Sequence, residues 1–103
     1  MTHVSPGFRT YDLAVRYHRL VEQARVPGYL RDQLLRASSS VVLNVAEGSG
    51  KVSLADKRRY FAIALGSFRE SCAALDIANQ RTPEINRVAD QLGAHLWRLC
   101  HPR

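Results

Sequence analysis

The sequence predicts an all-α fold, an antiparallel up-down-up-down four-helix bundle, on three observations. Apolar residues recur in steps of three and four along four successive stretches. Only 4 prolines and 6 glycines occur in 103 residues, and most fall where a helix should stop. No stretch carries the strict apolar–polar alternation of a strand. Short connections between such helices set consecutive ones antiparallel.

The first helix is expected from about Tyr11 to Arg25, with residues 1–10 a flexible N-terminal segment and 11–101 the bundle domain. Thr10 is placed to cap it, and Asp12 in the first turn complements the helix dipole. Leu13, Tyr17, Leu20 and Ala24 form its apolar stripe, while Asp12, Arg16, Arg19 and Gln23 form a polar line. Val26-Pro27-Gly28 breaks it.

The second helix is expected over about 29–47, with Leu30, Leu34, Ala37, Val41 and Val45 on its stripe. Gly48 reads as the residue just past the helix end. The third begins at Ser53-Leu54-Ala55-Asp56, a capping-box pattern, and runs to about Asn79. Phe61, Leu65, Phe68, Cys72 and Leu75 give it a heptad seam. The fourth opens on Thr82-Pro83-Glu84, an N-cap, a proline at the first position and an acid in the first turn. It extends to about residue 100 with Ile85, Val88, Leu92, Leu96 and Leu99 inward.

Helices two and three carry more apolar surface than one stripe needs. Leu35, Val42, Leu43 and Ala46 lie off the second helix's stripe, and Tyr60 to Leu65 is an unbroken apolar run. A helix apolar on several sides needs a second covering, and self-association is the expected one.

Composition limits the partners. Hydrophobic residues are 46% and charged residues 23%, as in a globular domain. The net charge is +6, and thirteen of the 15 basic residues are Arg, the side chain suited to bidentate contacts with phosphate or carboxylate. Such a field favours polyanions, chiefly nucleic acid or an acidic protein surface. No apolar stretch approaches bilayer length and MTHVSPGFRT has no apolar signal core, so the expected location is the cytoplasm, without membrane contact.

Catalytic and metal chemistry find no pattern. Gly48-Ser49-Gly50-Lys51-Val52-Ser53 lacks the leading glycine of a phosphate loop, because Val45 stands there, and Val52 occupies the hydroxyl position. His3, His18, His95 and His101 are scattered, without a metal-ligand spacing. Cys72 and Cys100 would lie about 15 Å apart along the axis, given the helical rise, against a limit of ~7 Å between disulfide-linked Cα atoms. No enzyme activity, cofactor or metal is therefore expected.

Two segments resist a bland account. Ser40, Asn44 and Glu47 place polar groups along one line of an apolar helix end, and Glu47 opposes the helix dipole. Mirroring positions about the turn near Gly50 offers Lys51 or Arg58 as its partner, and sets Glu70 near Arg31. Gly66 sits mid-helix, where glycine costs about 1 kcal/mol against alanine; close approach of a neighbouring helix, beside Ser67 and Glu70, is the expected reason.

Asn44-Val45-Ala46-Glu47-Gly48 resembles the Asn-Ile/Val-Ala-Glu-Gly signature of the bacterial four-helix bundle family, also called the 23S rRNA intervening-sequence protein family. Ile63-Ala64-Leu65-Gly66-Ser67-Phe68-Arg69-Glu70 is similar to its second signature, Ala-x-Gly-Ser-x-x-Glu, and the likeness spans Tyr11 to Trp97. Val42 departs from a common proline, Leu35 from a second arginine, and Cys72 from a frequent acid. The resemblance implies a cytoplasmic bundle forming a ring-like homopentamer, with no catalytic residues to transfer. Some members are encoded within intervening sequences of ribosomal RNA genes. A related branch, the accessory variability determinants of diversity-generating retroelements, implies reverse transcriptase and nucleic acid as partners.

The functional expectation is a non-enzymatic, homo-oligomeric basic scaffold that binds RNA or DNA by phosphate contacts, in one form as a reverse-transcriptase accessory factor. Arg16, Arg19, Lys51, Lys57 and Arg59 are the candidate contacts, and Asn44, Glu47, Gly48, Gly66, Ser67 and Glu70 the structural motif residues. The alternative is a protein-interaction adaptor without nucleic-acid binding.

Overall fold

The computed structural model describes residues 6–102. Among them lie four helices and no strand: α1 (Pro6–Glu22), α2 (Gly28–Ser49), α3 (Leu54–Ile77) and α4 (Pro83–Cys100). Each helix packs against two others, α1 on α2 and α4, α3 on α2 and α4, with the α2–α3 contact the most extensive. The result is a four-helix bundle whose core sits between all four.

Helix α1 begins at Pro6, earlier than the expected start near Tyr11. Proline suits a first helical turn, because its missing N–H would have had no partner there. Residues 6–10 of the segment read as flexible are thus helical, and the rest of that segment lies outside the described residues. Thr10 is no cap: it is fully buried, with Oγ1 3.3 Å from His95 Nδ1 on α4. Asp12 falls beyond the first turn, which holds no acid.

The buried stripe of α1 is Thr10, Ala14, Tyr17 and Val21, one position along from the expected Leu13, Leu20 and Ala24, which are only partly covered. The helix ends at Glu22, short of the expected Arg25. Arg31 of α2 closes that end, donating from Nη2 to the Glu22 carbonyl at 3.0 Å and from Nη1 to the Ala24 carbonyl at 3.3 Å. Carbonyls at a helix C-terminus lack intrahelical partners, and a guanidinium satisfies them while complementing the dipole.

The stripe of α2 is buried as read, from Leu30 through Leu34, Ala37 and Val41 to Val45. The helix continues through Gly48 to Ser49, past the expected end at 47. Gly48 is therefore a helical residue, and its role is steric. A Cβ there would stand 2.7 Å from Phe61 Cε1 and 3.2 Å from Tyr60 Cβ, so the missing side chain is what lets α3 seat its first aromatic turn on α2.

Both later N-caps form as the sequence indicates. Ser53 Oγ accepts from Asp56 N at 3.1 Å, and Thr82 Oγ1 accepts from Ile85 N at 3.2 Å. Helix α3 stops at Ile77, ahead of the expected Asn79, and Asn79 turns the chain with a φ of 54°. Asn tolerates that left-handed conformation better than most residues. Arg81 then pins the α3–α4 turn, donating to Asn86 Oδ1 at 2.7 Å and pairing with Asp76 at 3.6 Å.

Tyr17 crosses the core. Its ring lies 5.4 Å from that of Phe68 on α3, and its hydroxyl donates to Ser71 Oγ at 2.7 Å, which donates to the Phe68 carbonyl at 2.6 Å. Every polar atom of this buried chain is satisfied. Cys72 and Cys100 are free thiols.

Candidate nucleic-acid interface

The α2–α3 corner gathers charge because a short turn joins a helix ending at Ser49 to one starting at Leu54. Lys51 lies in that turn, with Nζ 3.3 Å from Glu47 and 5.1 Å from the centre of the Tyr60 ring. Arg59 approaches the same ring at 5.0 Å, and its Nη2 donates to the Tyr60 hydroxyl at 3.2 Å. Two cations thus flank one half-exposed aromatic ring. Lys57 donates to the Ser49 carbonyl at 3.3 Å, at the negative end of α2.

Of the five predicted contacts, the fold brings Lys51, Lys57 and Arg59 to this corner. Arg16 and Arg19 stand elsewhere, exposed on α1 along a shallow groove with Tyr11, Asp12 and Gln23. Tyr60 does not stand out in the sequence, where it reads as one residue of an apolar run. Its position beside Arg58-Arg59 is the signal that could have singled it out.

The motif residues sort into separate roles. Ser40 Oγ and Ser67 Oγ meet at 2.8 Å across α2 and α3, and Asn44 Nδ2 donates to the Ser40 carbonyl at 2.9 Å and hydroxyl at 3.1 Å. Asn44 is half-buried and paired within its own helix. Glu70 accepts from Gln33 Nε2 at 3.5 Å, whereas Arg31, its expected neighbour, is committed to the end of α1. Lys51, rather than Arg58, partners Glu47.

Gly66 departs from expectation most sharply. It is exposed, and a Cβ built on it would meet nothing within 4 Å. Among the described residues no neighbouring helix comes that near, whereas Gly48 is closely approached by α3.

The excess apolar surface also divides. Leu35 and Val42 pack partly against the core. Leu43 and Ile63 stay outside at 65% and 46% exposure, with Ala46, Ala62 and Gly66 exposed on the same two helices.

His18, His95 and His101 have ordinary partners, and His3 lies outside the described residues. His18 Nδ1 meets Ser38 Oγ at 2.6 Å, and His101 Nδ1 meets the Trp97 carbonyl at 2.8 Å. Burial, with Arg98 and Arg9 adding positive charge, holds the His95 imidazole below its ordinary range. Among the described residues no helix is long and apolar enough to cross a membrane.

A small basic four-helix protein with a cationic, aromatic α2–α3 corner is the class that these features define. The chain belongs to the 23S rRNA-intervening sequence protein family, whose model matches residues 9–95. Searches of curated proteins and of solved structures returned no match.

Proposed function

We propose that this chain is a non-enzymatic, homo-oligomeric basic scaffold that binds nucleic acid through phosphate contacts. The observation that carries the reading is Tyr60 flanked by Lys51 and Arg59, with Lys57 close by in sequence on the same corner. Cations neutralise phosphates, and an aromatic face stacks on any base, so the pairing gives sequence-tolerant binding. A net charge of +6 extends the field beyond that corner. Arg16 and Arg19 join the surface only if protomers bring α1 of one copy near the corner of another.

The up-down-up-down, antiparallel arrangement is supported by the pairs that bridge α2 and α3. Gln33 meets Glu70, Ser40 meets Ser67, and Ser49 meets Lys57, so rising positions on one helix meet falling positions on the other. Self-association is supported by exposed Leu43 and Ile63 and by the open surface at Gly66. The homopentamer, the cytoplasmic location and a reverse transcriptase as protein partner rest on the family resemblance.

Fluorescence anisotropy with a labelled single-stranded RNA tests the reading. Affinity should fall steeply with salt, and converting Lys51, Lys57 and Arg59 to Gln together should reduce the log–log slope by about 0.7 per lost contact. A salt-independent affinity, or one that the triple variant leaves intact, rejects this surface. The adaptor reading is favoured by the same exposed apolar residues, and predicts a protein partner retained by that triple variant.

A further inference from the structure

A pocket of about 610 Å³ opens at the end of the bundle where α1 begins, α3 begins and α4 ends. Its apolar wall is Leu54, Phe61, Leu99 and Pro102, and the cations around it are Arg9, Lys57 and Arg98. No carboxylate among the described residues lines it. Among the described residues neither Arg9 nor Arg98 forms an ion pair, whereas Lys51 and Arg81 on other surfaces do. The groove between α2 and α3 has similar volume, about 630 Å³, but mixes Arg36 with Asp32 and Glu70 and so favours neither sign.

Burying one apolar body while leaving several cations at the edge selects a particular chemistry. A purely apolar ligand would displace water from three cations without replacing its hydrogen bonds. A purely ionic one, such as inorganic phosphate, would leave the apolar wall unused. An anion joined to a short hydrocarbon satisfies both halves, and the volume lies in the range of small-ligand sites, roughly 300–1,000 Å³. His95, hydrogen-bonded to Thr10 at 3.3 Å, supplies a fixed polar wall.

We propose that this pocket binds a small amphiphilic carboxylate, with its head between Arg9, Lys57 and Arg98 and its chain against Leu54, Phe61 and Leu99. The site is distinct from the Tyr60 corner, although Lys57 borders both.

Titration of the full-length protein with octanoate, followed by methyl and aromatic NMR signals, tests the assignment. Octanoate should give saturable shifts at Leu54, Phe61 and Leu99, and n-octanol should bind about tenfold more weakly, because it forfeits the charge-assisted hydrogen bonds. Arg98→Gln should weaken octanoate and leave octanol unchanged, and Arg9→Gln should do the same from a different helix. Circular dichroism melting confirms that each variant is folded. Equal binding of octanol and octanoate, shifts that do not saturate, or indifference to both substitutions overturns the proposal. Octanoate binding that appears only after deletion of residues 1–5 would assign the pocket to the chain's own terminus and likewise overturn it. RNA affinity unchanged in Arg9→Gln, beside lost octanoate binding, separates this site from the nucleic-acid surface.

Discussion

Tyr17 and Gly48 carry opposite kinds of information at the residue scale. Tyr17 is a polar aromatic placed in the core, acceptable because Ser71 takes its proton donor and passes the bond to the Phe68 carbonyl. Removing the hydroxyl in Tyr17→Phe should cost about 1 kcal/mol in denaturant unfolding at neutral pH. Burial raises the phenol well above its ordinary value of 10.0. The folded state therefore keeps a proton that the unfolded chain releases near that pH. Stability from this group is complete below pH 10 and is lost as pH rises above it. Unfolding midpoints measured from pH 8 to 11 should fall at the alkaline end, and Tyr17→Phe should flatten that fall. Gly48 is defined by a missing atom. Gly48→Ala drives a methyl into Phe61, and an overpacked core typically loses about 1–3 kcal/mol, readable as a lowered thermal midpoint. A neutral result would show that Phe61 moves aside freely.

Helices α3 and α1 show how much of an element a sequence pattern fixes. The seam of α3 was legible because its apolar steps are regular and its start carries a side-chain cap. Thr82→Ala at the matching cap of α4 should cost about 1 kcal/mol by thermal unfolding, since Ile85 N loses the side-chain oxygen that caps it. Helix α1 was less legible. Ser5-Pro6 offers the same cap-then-proline pair as Thr82-Pro83, but no apolar stripe follows it closely enough to be noticed. The stripe itself was ambiguous, because Leu13 and Ala14, or Leu20 and Val21, are equally apolar neighbours. Both pairs stand in register with Tyr17, and packing chose Ala14 and Val21, which are fully buried. At Gly66 the expected helix contact is missing within the chain. Gly66→Ala should then stabilise α3 by about 1 kcal/mol through helix propensity alone. A loss of stability, or of solution mass, would show that another protomer covers this face.

Assembly and charge belong to the whole molecule. Exposed Leu43 on α2 and Ile63 on α3 are the apolar surface proposed for self-association. Light scattering at micromolar concentration should give a mass several times 11.6 kDa. Leu43→Glu should shift it toward one chain, because a charge in an apolar contact is costly to desolvate. A monomeric wild type would remove both the assembly and its multiplied phosphate contacts.

By itself the sequence determined the four helices, the Ser53 and Thr82 caps and three of the four stripes, since each depends on local spacing and backbone chemistry. It also determined the basic balance and, through its two signatures, the family. Only the tertiary structure decided which cations stand together. Lys51 and Arg59 meet at Tyr60 because the α2–α3 turn is short, and Arg9 joins Lys57 and Arg98 because three helix ends converge. The second grouping joins Arg9, Lys57 and Arg98, which lie far apart in the chain. No periodicity records them, because the distances are set by how the helices pack.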